Sequence, residues 1–197
     1  MPGDPERAAL TREAVVAAAR DLVAEGGLDA LSLRRLAARL GVTAPALYAH
    51  VHDKRDLLAA LAEGQFDELV ARMDAAAGLP PVERIRAHCR AYVQHARENP
   101  ELFGVMFLFS PDLGPAGGTD LPDGAELPAA TKAFGYALAA VEEAARDGDL
   151  ATGDPLLTAL ALWSATHGLT TVLQLGLGFA TDTEDALLDE LLDRLLD

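Results

Sequence analysis

Apolar residues recur along this chain at intervals of three and four, the spacing of one helix face, and no stretch reads as a credible strand. Val15, Ala18, Ala19 and Leu22 share a face of a helix that Thr11 can cap and that reaches about Glu25, where Gly26-Gly27 stops it. Ser32 can cap a second helix to about Leu40, and Thr43 a short third one with Pro45 tolerated in its first turn. Asp53 can cap a long fourth helix from Lys54 to about Ala76, closed by Gly78 and Pro80-Pro81. A fifth runs from about Val82 to Glu98; Asn99-Pro100 breaks it, and a short apolar helix from Glu101 to Phe109 follows. Residues 110–128 are rich in Pro, Gly and Asp and predict a mobile loop. Helices resume at about 129–146, 155–176 and 182–196. The pattern predicts an all-α chain in three parts: a flexible arm over 1–10, a small helical domain over 11–55 and a larger one over 56–197.

Half of the 197 residues are hydrophobic, enough for a real core, and only 5% are aromatic, which favours closely packed helices. The lone cysteine, Cys89, allows no intrachain disulfide, and no basic-then-apolar leader opens the chain. Both features fit the cytoplasm. The net charge of -15 by itself argues against nucleic acid. Its distribution changes that. Residues 1–55 hold eight basic and seven acidic side chains, whereas 56–197 hold eight basic and 24 acidic ones. A near-neutral, Arg-bearing head on an acidic body suggests that only the head approaches phosphate. The acids of the body read simply as solvated faces.

Residues 33–51 have the logic of a helix-turn-helix. Leu36, Leu40, Val42, Leu47 and Val51 are apolar posts that brace two short helices, Ala37 is small where they cross, and Gly41 sits where the turn needs a positive φ. The first helix supports the second, which suits a major groove.

With those residues in view, 11–58 resembles the DNA-binding domain of the TetR family. The run from Leu40 to Leu58, with Pro45, Leu47-Tyr48, His50-Val51 and Lys54-Arg55, is especially similar to the tetracycline repressors. Asn99-Pro100-Glu101-Leu102-Phe103 and the Trp163/His167-Gly168 element look like features of the family's regulatory domains. The resemblance implies that Tyr48 and Lys54 contact phosphates. Their chemistry agrees: a phenol hydroxyl can donate to phosphate, and Lys54 opens a helix whose N–H groups and dipole favour an anion. The alternative for Tyr48 is a half-buried core position, and for Lys54 a solvated charge. Ser32 and Arg34 or Arg35 are further phosphate candidates. Base readout falls to Thr43, Ala44 and Pro45, with Ala49 and His50 behind them. Ala44, Ala46 and Ala49 depart from the tetracycline repressors; alanine reads a thymine methyl at most, so the operator is expected to differ from theirs.

The resemblance also implies a homodimer built on the last two helices. Residues 155–181 carry no Asp, Glu, Lys or Arg, yet Thr158, Ser164, Thr166, His167, Thr170, Thr171 and Gln174 are spread through them, and Gly176 and Gly178 interrupt their end. A helix buried on both sides in a soluble protein explains this better than a membrane span. Leu162, Ala165, Leu169 and Val172, with Leu188, Leu191, Leu192 and Leu195, are the interface candidates; the alternative for the last helix is an intrachain core. A second row, Trp163, His167, Thr170 and Gln174, points toward the body. With Tyr92, Phe103, Met106, Phe107 and Phe134 it forms the candidate lining of the ligand cavity that the family implies. Trp163 and His167 read equally well as a satisfied core pair.

His88 and His95 lie about two turns apart, too far to share a metal unaided, and no glycine-rich phosphate loop or nucleophile motif accompanies the carboxylates. No metal, no cofactor and no enzyme are expected. The resemblance points to a repressor that binds a palindromic operator and is released by a small, hydrophobic effector. The rivals are an activator of the same kind and a binding module with an idle head.

Overall fold

The computed structural model describes residues 10–109 and 127–196. The predicted arm over 1–10, except Leu10, and the predicted loop over 110–128, except its last two residues, lie outside them. The described residues are all helical apart from turns, and no strand occurs among them. Helices α1 (Arg12–Gly26), α2 (Leu33–Leu40) and α3 (Ala44–Leu47) make the head. Helices α4 (Lys54–Asp74), α5 (Pro81–Glu98), α6 (Pro100–Met106), α7 (Pro128–Asp147), α8 (Pro155–Leu173) and α9 (Thr181–Leu196) make the body.

The caps are where the polar residues asked for them. Thr11, Ser32 and Asp53 accept from the backbone N–H of Ala14, Arg35 and Asp56, each satisfying a donor that the helix start leaves free. Gly41 closes α2 in the left-handed region, φ 65° and ψ 30°, and its N–H returns to the last turn. Helix α7 has no cap of its own. Glu63 of α4 supplies one from across the body, its Oε1 accepting from Ala129 N at 3.0 Å.

The core of the head does not stop at the predicted boundary. Leu36, Leu47, Val51 and Leu57 lie in one continuous buried cluster with Phe66, Leu69, Phe103 and Ala133. Helix α4, roughly 30 Å long at its rise per residue, carries that core from head to body. A second cluster joins α5, α7, α8 and α9 through Val93, Val141, Leu162, Leu188 and Leu192.

One expectation changes here. The acids of α9 are not merely solvated. Asp193, Asp189 and Asp185 pair with Arg86, Arg90 and Arg97 of α5 at 2.7, 2.6 and 3.0 Å. Each exposed pair contributes about 0–1 kcal/mol, so the series sets the register of α9 more than its stability. Helix α8 is buried on one side only. Ala159, Leu162, Thr166 and Thr170 face inward, while Leu157, Ala161, Gly168, Val172 and Leu175 are exposed in the single chain.

Candidate nucleic-acid interface and ligand cavity

The recognition turn begins at Thr43, whose hydroxyl makes no capping bond, and continues through Leu47 to His50 and Val51, whose N–H groups both return to Leu47 O. Leu47 is fully buried and holds the turn on the head's core. Most of the residues around it face out. Arg34, Thr43, Ala44, Pro45 and Lys54 are exposed, and Ser32 and His50 are half-buried. Tyr48 is 57% exposed, not the half-buried core residue that the alternative required. Ser32 Oγ accepts from Arg35 N at 3.2 Å; its own proton stays available for a phosphate oxygen.

Sequence reasoning missed what fixes this turn. Arg12 Nη1 donates to His50 O at 2.8 Å, and the guanidinium grips Asp56 through two bonds of 3.0 and 2.7 Å. The same carboxylate accepts from His52 N at 2.9 Å. Asp56 is 8% exposed. Its pKa is held below the usual carboxylate range, chiefly by the Arg12 hydrogen bonds, and Arg12 is raised in return. One ion pair thus ties α1, the end of the recognition turn and the start of α4 into a rigid unit. Its partners stand 44 residues apart, so no local pattern marks it.

A cavity of about 80 Å³ lies in the body between α4, α5, α7 and α8. Of the candidates, Tyr92, Phe107, Phe134 and Trp163 line it. Phe103, Met106, His167, Thr170 and Gln174 do not. Phe103 and Met106 pack into the core beneath the head. Thr170 is buried and donates to Thr166 O, and Gln174 is exposed near Arg97 and Glu184. The physical reasons are angle and length: the inward face of α8 runs through 159, 162, 166 and 170, so His167 and Gln174 sit off it, while Thr170 lies on it but beyond the cavity's end. His167 stands one layer out, where Nδ1 meets the Tyr92 hydroxyl at 2.7 Å. Missed lining residues come from α4, α5 and α7, among them Phe66, Met73, His88, Cys89 and Ala133, and from α8 itself, Ala159 and Thr166. Among the interface candidates, Leu162 lines the cavity, and Leu188 and Leu192 are buried inside the protomer. Ala165, Leu169 and Leu191 are half-buried, and Val172 and Leu195 are exposed.

Helix α6 joins the two regions. Phe107, just past its end, contacts His167, Phe103 and the α4 ring of Phe66 at 4.7, 5.2 and 5.9 Å between ring centres. At its other side, Glu101 approaches Gly27, the glycine with φ 68° that ends α1. The Arg55 guanidinium lies 5.4 Å over the Phe109 ring.

Burial holds the pKa values of His88, His95 and His167 below the ordinary imidazole value. His95 is the extreme case: it is fully enclosed, neither ring nitrogen has a partner, and Arg72, Glu68 and Glu98 are the charges around it. The unfolded chain takes up these protons near about pH 6.5, and the folded chain only at lower pH. Stability is therefore whole above about pH 6.5 and drains away as pH falls below it. Carboxylates held low, such as Asp56, add their loss only nearer about pH 4. Thermal melts are expected to show a falling midpoint between about pH 7 and 5, less steeply in His95→Leu. A midpoint that stays level over that range contradicts the assignment.

Comparison with known proteins agrees with this architecture. Residues 15–61 match the family model described as bacterial regulatory proteins, tetR family, and residues 85–197 match the tetracyclin repressor-like C-terminal domain. An uncharacterized HTH-type transcriptional regulator of Mycobacterium tuberculosis is 28% identical over 94% of this chain and 80% of its own length. The Escherichia coli tetracycline repressor of class C is 56% identical, over 27% of this chain and 25% of its own length. Among solved structures, a protein of unknown function from Rhodococcus sp. RHA1 superposes with a TM-score of 0.77 at 29% identity, covering 99% of this chain and 100% of its own. A TetR variant from Acinetobacter baumannii AYE in complex with minocycline gives 0.67 at 25% identity, covering 95% of each chain. BioQ with its double-stranded DNA operator gives 0.66 at 26%, covering 95% and 99%. Both parts of the chain, head and body, thus match the same group, and the chain belongs to the TetR family of bacterial transcriptional regulators.

Proposed function

We propose that the protein is a cytoplasmic repressor that binds a palindromic operator as a homodimer and leaves it when a small apolar molecule enters the body cavity. The observation that carries the reading is the recognition turn itself. It is exposed, edged by Tyr48, Arg34 and Lys54, and clamped from behind by the Arg12–Asp56 pair. A vestigial head has no use for such a clamp. Phosphate contacts from Tyr48, Lys54, Arg34 and Ser32 position the head, and Thr43, Ala44, Pro45 and His50 meet base edges. The alanines favour thymine methyls and shape over bidentate hydrogen bonds, so the operator differs from that of the tetracycline repressors.

The exposed stripe of α8, with Leu187, Leu191 and Leu195 of α9, is the face for the second copy. Two heads on one duplex then reach major grooves about 34 Å apart. The cavity is smaller than the roughly 150 Å³ that accepts benzene, so a ligand must push its walls outward. Phe107 is one of those walls. Its displacement is passed through α6 to Gly27 and Arg55, which bear on α1 and on the start of α4. The spacing of the heads changes and DNA affinity falls; by linkage, DNA weakens ligand binding by the same factor.

Selection of bound fragments from random DNA at about physiological salt tests the reading. Recovery of an inverted repeat with half-sites about one helical turn apart is expected. No enrichment by a folded dimer contradicts it.

A further inference from the structure

We propose that the cavity selects an uncharged molecule of single-ring size that carries one hydroxyl, and that this hydroxyl donates to Nδ1 of His88. The inference rests on the reading of the cavity as the effector site.

No residue lining the cavity carries a formal charge in its ordinary state; the wall is aliphatic and aromatic, with His88, Cys89, Tyr92, Trp163 and Thr166 as its polar members. A carboxylate or ammonium placed there would lie unpaired in an apolar surround. Four of the five polar members already have a partner, accept only weakly or can only donate, whereas His88 Nδ1 has no partner at all. The Tyr92 hydroxyl is engaged with His167 Nδ1. Thr166 Oγ1 donates to Leu162 O at 2.8 Å. Burial pushes the Cys89 thiol up, so it stays neutral and is a weak acceptor. The Trp163 indole is a donor only.

His88 is different. It is 6% exposed, and Nδ1 has no hydrogen-bond partner. The Met73 backbone favours a proton on the ring; with that proton on Nε2, Nδ1 is the lone-pair side of a neutral imidazole. Protonation, its other way to be satisfied, is disfavoured by burial and by Arg84. A buried acceptor left alone is costly, and a ligand hydroxyl is the group that removes the cost. The space of about 80 Å³ must already widen to admit one ring, which favours one ring or a short chain over anything larger.

Phenol and toluene are matched probes, alike in shape but with a hydroxyl in place of a methyl. Titration calorimetry on the full chain, with the emission of Trp163, its one tryptophan, as second readout, measures both. Both are expected to bind. The ratio of phenol to toluene affinity is expected to fall about three- to tenfold in His88→Leu, the value of one net hydrogen bond. That variant replaces an unpaired buried polar group with an apolar one of similar size, so it is expected to fold. The wild-type protein gives an independent reading: phenol should move the His88 Nδ1 resonance in nitrogen NMR, and toluene should leave it in place. Benzoate should not compete. An unchanged ratio, a still Nδ1 resonance with phenol bound, or competition by benzoate overturns the hydrogen bond alone. Failure of both phenol and toluene to bind overturns the cavity reading with it.

Discussion

Asp56→Ala is expected to destabilise the head by about 2–3 kcal/mol and to weaken operator binding beyond what the loss of folded protein explains. Asp56 is not on the DNA face. Its carboxylate instead accepts two bonds from Arg12 and one from the His52 N–H. Hydrogen bonds to charged groups contribute about 1.5–3 kcal/mol each when buried. The Arg12 side chain is partly exposed, so solvent screening reduces the ion pair's share. What remains is large because the change also strands a backbone donor and lets the recognition turn drift from the start of α4. Asp56→Asn keeps an acceptor for His52 and should lose about half as much. Arg12→Ala should resemble Asp56→Ala, and the double variant should cost little more than either alone, because the residues act as one unit. Chemical denaturation of the four proteins checks this; additive losses contradict it.

The second large effect is expected from Val172→Arg. Val172 lies on the open face of α8, on the side where Leu157 is 63% and Leu175 is 69% exposed. The protomer gains little from that side chain, so its own fold should survive. In a two-fold dimer the same face meets its copy, and an arginine there brings two like charges and two unpaired desolvated groups together. The variant is expected to sediment as a monomer. Operator affinity should fall by about two to four orders of magnitude, the usual advantage of tethering a second binding head. A Val172→Arg protein that remains dimeric and binds the operator normally places the interface elsewhere.

Local chemistry was the legible part of this chain. Thr11, Ser32, Asp53 and Gly41 announce the helix ends, because caps and turns are decided within a few residues. The exposure of α3 followed from the same posts. Contacts between helices were not legible in the same way. Periodicity says which residues share a face, not which helix the face meets. That is why Leu188 and Leu192 turned inward against α5 and α8 and not toward a partner, and why Thr170 and Gln174 missed the cavity. Half of the cavity wall comes from α4 and α7, where Phe66, Met73 and Ala133 look like ordinary core. The long-range pairs, Arg12 with Asp56 and the α5 arginines with the α9 acids, have no signature short of the fold itself.

On the proposed function, this acidic protein holds DNA through a few phosphate contacts on its head. The most direct measurement is operator affinity as a function of salt for the wild type and for Lys54→Ala. Plotted as logarithms, the wild-type line should fall steeply, and Lys54→Ala should bind more weakly with a slope shallower by about 0.9, the release of one phosphate's counterion. A variant with the wild-type affinity and the wild-type slope would mean that Lys54 stands in solvent and that the head meets DNA, if it does, by some other face.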